Sequence, residues 1–304
     1  MITVLSGGTG TPKLLMGLQQ AMDRSEIAVV ANTGEDTWGS GTYISPDVDS
    51  VTYALAGIID QQLWYGIARD TFMTHKALAK LGRKELLRLG DRDRATKLYR
   101  TLRLGEGCTL TQATAEICAS LGVSEKVLPM SDDPVHTTIY TENGKTEFHD
   151  FWVRDRGRHS VNRVVYEGSE AARPSREVAE SIRSSDAVVI GPSNPITSIG
   201  PILSMGEVRD MCKRAYTVAV SPIIGERVFS GPASRLMGGL GYESSPLGVA
   251  RFYEGIADVL VIDHADERYV PLIKELGIDV RLAHITMKDL NTRVALGKTV
   301  TTLW

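Results

Sequence analysis

The sequence predicts an α/β protein with a Rossmann-like, doubly wound, mainly parallel sheet and an inserted helical and β-hairpin subdomain. Three observations lead to this prediction. Short β-branched runs recur along the chain, apolar stripes at helical spacing lie between several of them, and loops rich in glycine or polar residues follow them. Near-continuous apolar runs are typical of strands buried on both faces, and their alternation with helices is typical of a parallel sheet.

Six apolar runs are predicted as strands of the core, and the apolar stripes within residues 14–22 and 178–182 are predicted as helices between them. The six runs are residues 2–5, 27–31, 187–190, 217–220, 259–262 and 280–282. The first is followed directly by a glycine-rich loop and a helical pattern, which is the start expected of a nucleotide-binding sheet.

The middle of the chain has a different pattern. Its periodicity is helical from about residue 60 to residue 128 and strand-like from residue 137 to residue 165. Within the second part, Asn143-Gly144 predicts a hairpin turn between two strands. We therefore expect a nucleotide- or diphosphate-binding core formed by residues 1–59 and 166–304, interrupted by an inserted subdomain at residues 60–165.

Composition excludes several classes of protein. The 304 residues carry 34 Lys and Arg against 37 Asp and Glu, a net charge of −3, which argues against a nucleic-acid or anionic-membrane partner. The three cysteines form no Cys-x-x-Cys pair, so neither a disulfide scaffold nor a thiolate zinc site is expected. No signal peptide and no apolar run of the roughly 18 residues that a membrane helix needs is visible. The expected compartment is the reducing cytoplasm.

The loop at residues 6–13 (SGGTGTPK) is the first candidate binding site. Its glycines let backbone amides approach an anion, and the N-terminus of the following helix adds positive potential. It lacks the third glycine of the dinucleotide fingerprint and the Gly-Lys-Ser/Thr of a Walker A loop. The alternative is a simple tight turn. The predicted phosphate or nucleotide contacts are Gly7, Gly8, Thr9, Gly10, Thr11 and Lys13.

Two acidic loops follow. Residues 32–36 (NTGED) lie where a Rossmann-type fold places the acidic residue for a ribose, so Asn32, Glu35 and Asp36 are either ligands or solvated loop residues. Residues 45–50 (SPDVDS) carry Asp47 and Asp49, and paired carboxylates suit a hard cation such as Mg²⁺. The alternative is that Asp49 only caps the helix that starts near residue 51.

Later loops add polar groups at the same predicted sheet edge. Ser193, Asn194, Thr197 and Ser198, in the Gly- and Pro-rich loop 191–201, are suited to phosphate, ribose or base contacts. The charged loop 88–94, the turn 131–134 and the loops 221–225 and 230–233 are weaker candidates. Open parallel sheets bind ligands beyond the carboxyl ends of their strands, so we expect a nucleotide or diphosphate substrate there.

Seven motifs, taken in order, resemble the 2-phospho-L-lactate transferase family (CofD/FbiA type) of deazaflavin coenzyme biosynthesis. The motifs are residues 6–14, 32–36, 45–49, 90–95, 129–133, 191–201 and 221–225. The resemblance implies a Mg²⁺-dependent dimer with a Rossmann-like core. It also implies transfer of a phospholactyl group from lactyl-2-diphospho-5′-guanosine to the ribityl hydroxyl of the deazaflavin Fo, giving coenzyme F-420-0 and GMP. Some relatives use a phosphoenolpyruvyl donor, which gives the dehydro form, or a phosphoglyceryl donor.

The resemblance also implies roles for individual residues. Asp49 and Arg88 would contact Fo, with Arg92 a substitute for Arg88. Asp47 and Asp49 would hold Mg²⁺, and Asp49 or Asp91 would accept the proton unless the metal alone activates the hydroxyl. The expected catalytic set is therefore Asp49, Asp91 and Arg92, and Asp49→Asn is expected to abolish transfer with the fold intact.

Two other functions stay open at this point. A nucleotide-sugar-binding regulator of the gluconeogenesis-factor type has a similar glycine-rich start, and binding of Fo would distinguish it from the transferase. A nicotinamide-dependent dehydrogenase is compatible with the fold, although the altered glycine loop argues against it.

Overall fold

The computed structural model describes residues 1–225, 227–228 and 232–304, which form fourteen strands and twelve α-helices. The strands are β1 Ile2–Ser6, β2 Ile27–Ala31, β3 Thr37–Gly39, β4 Thr42–Ile44, β5 Lys126–Pro129, β6 His136–Thr141, β7 Gly144–Glu147, β8 Val161–Glu167, β9 Ala187–Ile190, β10 Thr217–Val220, β11 Ile223–Ile224, β12 Arg227–Val228, β13 Val259–Asp263 and β14 Asp279–Ala283. The helices are α1 Gly10–Ala21, α2 Pro46–Leu55, α3 Met73–Lys80, α4 Asp91–Gly105, α5 Leu110–Ser120, α6 Arg176–Ser184, α7 Gly200–Ser204, α8 Gly206–Arg214, α9 Ala233–Gly239, α10 Pro246–Phe252, α11 Val270–Lys274 and α12 Leu290–Val300. Short 3₁₀ or π segments are Arg24–Glu26, Asp150–Arg154, Pro195–Ile199 and His264–Tyr269.

Seven strands form a parallel central sheet in the order β14-β13-β10-β9-β1-β2-β5. This confirms the predicted α/β, doubly wound fold class. The chain proceeds from β1 toward one edge through β2 and β5, and then from β9 toward the other. The order therefore reverses between β1 and β9, and sheets of this kind bind ligands beyond the carboxyl ends of the strands at that point.

Both faces of the sheet are covered by apolar side chains. Along β1, Val4 belongs to the cluster on the face of α1, α2 and α12, whereas Leu5 belongs to the cluster on the opposite face. The same alternation holds for Val29 and Val30 on β2. Burial on both faces explains why these strands are continuous apolar runs in the sequence.

The predicted inserted subdomain needs one correction, because β5 lies within residues 60–165 and yet belongs to the central sheet. It pairs in parallel with β2, with Pro129 opposite Ala31. Only Val127 and Leu128 are buried apolar residues of β5 before the proline, so the sequence pattern did not predict a strand there. Pro129 is tolerated because β5 is an edge strand.

The rest of the insertion lies outside the central sheet. It contributes α3, α4 and an antiparallel sheet in the order β7-β6-β8, in which β8 runs on to Glu167. The predicted hairpin is present, with Thr141 paired to Gly144 across the turn. In the described part of the chain, no helix has both the length and the apolar character needed to cross a membrane.

Candidate active site

A cavity of ≈ 690 Å³, called the main cavity below, opens where loops after β1, β2 and β9 meet. The loops around it are far apart in the sequence. They meet because the strands that they follow are neighbours in the sheet and end at the same edge. Residues predicted as site residues that line it are Gly8, Thr9, Gly10, Asp47, Asp49, Arg88, Ser193, Asn194, Thr197 and Ser198. Further lining residues include Glu35, Leu63, Trp64, Tyr65, Leu86, Asp93, Lys97, Phe148, His149, Trp152 and Val153.

Ser193 joins the first glycine-rich loop to the loop after β9. Its hydroxyl accepts hydrogen bonds from the amides of Gly7 at 3.1 Å and Thr11 at 3.3 Å, and it shares a third with the Thr11 hydroxyl at 2.7 Å. The first turn of α1 has no acidic residue and no side-chain cap. Free amides at a helix N-terminus form a site for an anion, and Gly8 to Gly10 present this end of α1 to the cavity.

We expect Ser193→Ala to lower the free energy of unfolding by about 1–3 kcal/mol, because it leaves buried donors without their acceptor. Chemical denaturation of the variant and the wild type measures this change. Ser184→Ala, an exposed serine on α6, is the matched control. Equal stability of the two variants would mean that Ser193 does not hold the loops together.

Asn32 orients Asp47 from behind the cavity wall. Its side-chain amide donates to Asp47 Oδ2 at 2.9 Å and to the Thr197 carbonyl at 3.1 Å, and its Oδ1 accepts from the Gly34 amide at 2.8 Å. Asn32 itself is completely buried and does not line the main cavity. The structure therefore gives it a positioning role rather than the direct nucleotide contact expected from the sequence.

Glu35 and Asp47 place two carboxylates on the cavity wall, and neither forms an ion pair within the described residues. Burial raises the pKa of Asp47 to about 7, although hydrogen bonds from Asn32 and the Gly8 amide oppose the rise. Burial and the neighbouring charge of Asp47 raise the pKa of Glu35 well above its ordinary value. A pair of uncompensated carboxylates is a donor set that a hard divalent cation fits.

Asp49 is held by two cations of α4. Lys97 Nζ lies 3.0 Å from Asp49 Oδ2, and the Arg100 guanidinium binds both carboxylate oxygens. Burial acts to raise the pKa of Asp49, but the charges of Arg100 and Lys97 outweigh it and hold the pKa below its usual range. Asp49 is thus an ionised carboxylate on the wall whose oxygens are already engaged, which makes it a poorer metal ligand than Asp47.

Lys97 and Arg100 were not predicted as site residues, whereas Asp93 belongs to the weaker candidate loop 88–94. Lys97 also contacts Asp93, and the Tyr53 hydroxyl donates to Asp93 Oδ1 at 2.9 Å. These three α4 residues are the buried ones of that helix. Their spacing of four and three positions puts them on one helical face, and that polar stripe was the available sequence signal.

The predicted residues Asp91 and Arg92 do not reach the main cavity. The Asp91 carboxylate accepts from the amides of Met73 and Thr74, both at 2.9 Å, and from the Thr71 hydroxyl, so it fixes the start of α3. These hydrogen bonds lower the pKa of Asp91 below its ordinary value. The structure thus leaves no place on the cavity wall for the predicted catalytic roles of Asp91 and Arg92.

The remaining predicted residues either line the main cavity or contact the residues that line it. Arg88 lines the cavity, with its guanidinium carbon 3.9 Å from the centroid of the Phe72 ring. Gly7 and Thr11 lie behind the wall, where they bind Ser193, and Lys13 lies over the Trp64 ring. Ser230 and Gly231, from the weaker loop 230–233, lie outside the described residues.

Part of the lining of the main cavity is apolar and aromatic. Leu63, Tyr65, Leu86, Trp152 and Val153 form this part and are exposed despite their size. Binding sites for planar ligands combine such surfaces with a few polar groups. The sequence alone did not show which aromatic residues face a ligand, because they come from three separate loops.

His149 lies on the cavity wall, and its burial predicts that the folded protein is less stable in acid. Burial lowers the pKa of its imidazole from 6.5 to about 4, and the Asp150 charge only partly opposes this. The unfolded state binds a proton on this imidazole more tightly than the native state does. The free energy of unfolding is therefore unaffected by His149 above pH 6.5 and decreases as the pH falls toward 4. We expect the loss to reach about 3 kcal/mol.

His149→Gln should therefore unfold with a smaller stability difference between pH 7 and pH 4.5 than the wild type, as measured by urea denaturation at both pH values. His264→Gln, which changes an exposed histidine, should keep the wild-type difference. An unchanged difference in the His149 variant would contradict the assignment.

Comparison with known proteins decides the family. The sequence profile described as "2-phospho-L-lactate transferase CofD" matches residues 2–298. The chain belongs to this family. The resemblance noted in the sequence is thereby confirmed, and the CofD family is one of transferases.

Curated relatives agree with the profile. A 2-phospho-L-lactate transferase of Methanocaldococcus jannaschii is 47% identical over 304 residues, spanning 99% of this chain and 97% of the relative. One of Methanothermobacter thermautotrophicus is 46% identical over 298 residues, spanning 98% of this chain and 96% of the relative. A crystal structure of a UPF0052-family protein from Bacillus halodurans has a TM-score of 0.67 at 18% identity and covers 99% of this chain and 98% of its own, which supports the fold alone.

Proposed function

We propose that the protein transfers a 2-phospho-L-lactyl group, or its phosphoenolpyruvyl analogue, from a guanosine diphosphate ester to the ribityl hydroxyl of Fo. The products are coenzyme F-420-0, or its dehydro form, and GMP. One observation carries the proposal. The main cavity is lined by a helix N-terminus suited to an anion, by a pair of carboxylates without an ion pair in the described residues, and by apolar and aromatic side chains, and this transfer needs all three.

The two substrates fit opposite parts of the main cavity. The donor's diphosphate would lie at Gly8 to Gly10, with its guanosine against Ser193, Asn194, Thr197 and Ser198. The deazaflavin ring would lie against the apolar part of the lining, beside residues such as Tyr65 and Trp152. This leaves the ribityl chain beside Asp49 and Arg88, the residues that the family resemblance assigns to Fo. Both reactants would then meet near the carboxylates of α2.

Mg²⁺ would be held by Asp47 together with Glu35, rather than by Asp47 and Asp49. Asp49 is engaged by Lys97 and Arg100, whereas Asp47 and Glu35 have no cationic partner among the described residues. Mg²⁺ commonly binds one or two carboxylates and completes its shell with water and substrate phosphates. When bound, it would neutralise charge on the diphosphate and so assist departure of GMP.

The protein's own part in the reaction is positioning and charge. The hydroxyl of Fo attacks the phosphorus that bears the lactyl group, and the bond from that phosphorus to the GMP oxygen breaks. Asp49 is ionised, but Arg100 and Lys97 hold its pKa below the usual range, so it accepts the hydroxyl's hydrogen bond and orients it, and the proton passes to water as the bond to phosphorus forms. Lys97 and Arg100 keep Asp49 in place during this transfer. Such an arrangement lowers the barrier mainly through orientation.

We also propose that the protein acts as a homodimer, as the family resemblance implies, and that it does so in the cytoplasm, as its unpaired cysteines indicate. Light scattering coupled to gel filtration tests the dimer.

A single-donor assay tests the function. Purified protein is incubated with Fo, lactyl-2-diphospho-5′-guanosine and Mg²⁺, and GMP and the phosphodiester are quantified by chromatography. We expect equal amounts of both products, loss of turnover with EDTA and recovery when Mg²⁺ is restored. A regulator of the gluconeogenesis-factor type would bind the nucleotide without releasing GMP, and Fo would be left unchanged.

A further inference from the structure

The last helix brings a buried arginine to the glycine-rich loop. Helix α12 packs closely on α1, since a Cβ atom at Gly297 would lie 2.9 Å from the carbonyl carbon of Gly17. This close crossing carries Arg293 into the interior, where only 4% of it is exposed. One of its terminal nitrogens donates to Gln61 Oε1 at 3.0 Å.

Arg293 and Lys13 share one aromatic ring. The guanidinium carbon of Arg293 lies 4.6 Å from the centroid of the Trp64 ring, and Lys13 Nζ lies 4.8 Å from the same centroid. Cations at these distances are attracted by the electron-rich face of indole. Trp64 lines the main cavity, as Gly8 to Gly10 do, whereas Lys13 and Arg293 do not, so both charges lie behind this wall residue.

Neither of these two cations has an ion-pair partner in the described part of the chain, although the charge of Asp289 acts on Arg293 from a distance. Within residues 1–225, 227–228 and 232–304, neither Lys13 nor Arg293 forms an ion pair, and Arg293 Nε has no hydrogen-bond partner. The nearby Asp289 instead accepts from the Thr292 amide at 2.8 Å and caps α12. Burial and the charge of Arg293 lower the pKa of Lys13. Two like charges, one buried and one half-buried, are unfavourable unless an anion offsets them.

We propose that Arg293 is a positioning residue for the donor's diphosphate, which it serves by holding Lys13 and Trp64 against the glycine-rich loop. The diphosphate would then lie across Trp64 from two positive charges that form no ion pair in the described residues, in addition to the amides of α1. This inference rests on the proposed function, because it assigns the diphosphate to that loop. It gives the C-terminal helix, which has no other contact with the main cavity among the described residues, a part in substrate binding.

The test separates charge from packing. Arg293→Met keeps much of the side chain's length and removes its charge, whereas Arg293→Lys keeps the charge. In the full-length protein we expect Arg293→Met to raise the donor KM about tenfold, with kcat and the KM for Fo near wild type, as the loss of one partly buried charge implies. Arg293→Lys should restore most of the donor affinity. Arg281→Met, on the exposed face of β14, is the control and should change neither.

Calorimetric titration with GDP gives a readout independent of turnover. GDP affinity should fall in Arg293→Met and also in Lys13→Met, which serves as the second variant if the first does not fold. If GDP affinity and donor KM were unchanged, Arg293 would have no part in binding the diphosphate. If kcat, both KM values and the Tm all worsened together, Arg293 would be a packing residue. Absence of turnover in the wild type would overturn the proposed function instead, and the GDP titration would still decide the role of Arg293.

Discussion

Replacing Asp49 with asparagine is expected to abolish transfer and to lower the free energy of unfolding by about 3–5 kcal/mol. Asp49 is buried, and its carboxylate is the partner of both Lys97 and Arg100. Asparagine would leave the buried Arg100 without its counter-charge and Lys97 with Asp93 as its one ion-pair partner in the described residues, and it would remove the acceptor that orients the hydroxyl of Fo. The expectation from the sequence, that the fold stays intact, is therefore replaced by a combined loss of activity and stability. Turnover with Fo and urea denaturation measure the two effects.

A double variant shows whether the stability loss comes from the unpaired charge. Arg100→Met added to Asp49→Asn should recover part of the lost stability, since it removes the cation that has no other ion-pair partner in the described residues. Asp210→Asn, on the exposed surface of α8, is the control and should match the wild type. Wild-type turnover in Asp49→Asn would remove Asp49 from the mechanism.

Replacing Gly10 with alanine is expected to lower kcat/KM at least about 100-fold, because small misplacements at a reacting centre have effects of that size. A Cβ atom at Gly10 would overlap the carbonyl oxygen of Pro192 and lie 3.4 Å from the Ser193 amide. These are backbone atoms, so the loop after β9 must move away from the helix N-terminus. The donor would then lose the alignment between its phosphates and its guanosine.

Gly206→Ala is the matched control for Gly10→Ala. A Cβ atom at Gly206, in the first turn of α8, would meet nothing within 4 Å. Steady-state kinetics and thermal unfolding of both variants, side by side, give the comparison. If Gly10→Ala were as active as Gly206→Ala, the close approach of the two loops would have no part in catalysis.

Much of the fold could be predicted because the central strands are buried on both faces. Such strands need apolar, often β-branched residues at nearly every position, and the runs at residues 2–5 and 187–190 show this directly. The edge strand β5 was not predicted because it has only two buried apolar side chains before Pro129. Its place in the sheet depends on pairing with β2, which is a long-range property that periodicity does not report.

The site could be predicted where it depends on loops at strand ends, and less well where it depends on helix orientation. The glycine-rich loop and Asp47 follow strands of known direction, so their meeting at one edge follows from topology. Lys97 and Arg100 lie in a run of charges that has the composition of a solvated face. Only the packing of α4 against Asp49 shows that these charges are directed inward. Arg293 could not be predicted as part of the site, because it is far in the sequence from the loops near which it packs.

The most direct test of the proposed transfer is a donor competition. The protein is incubated with Fo, Mg²⁺ and equal amounts of the lactyl, enolpyruvyl and glyceryl diphosphoguanosine esters, and the products are identified by mass spectrometry. We expect one dominant phosphodiester of Fo, formed in step with GMP, and its mass identifies the donor. Folded protein that forms no phosphodiester from any of the three esters would contradict the transfer and favour a nucleotide-binding regulator.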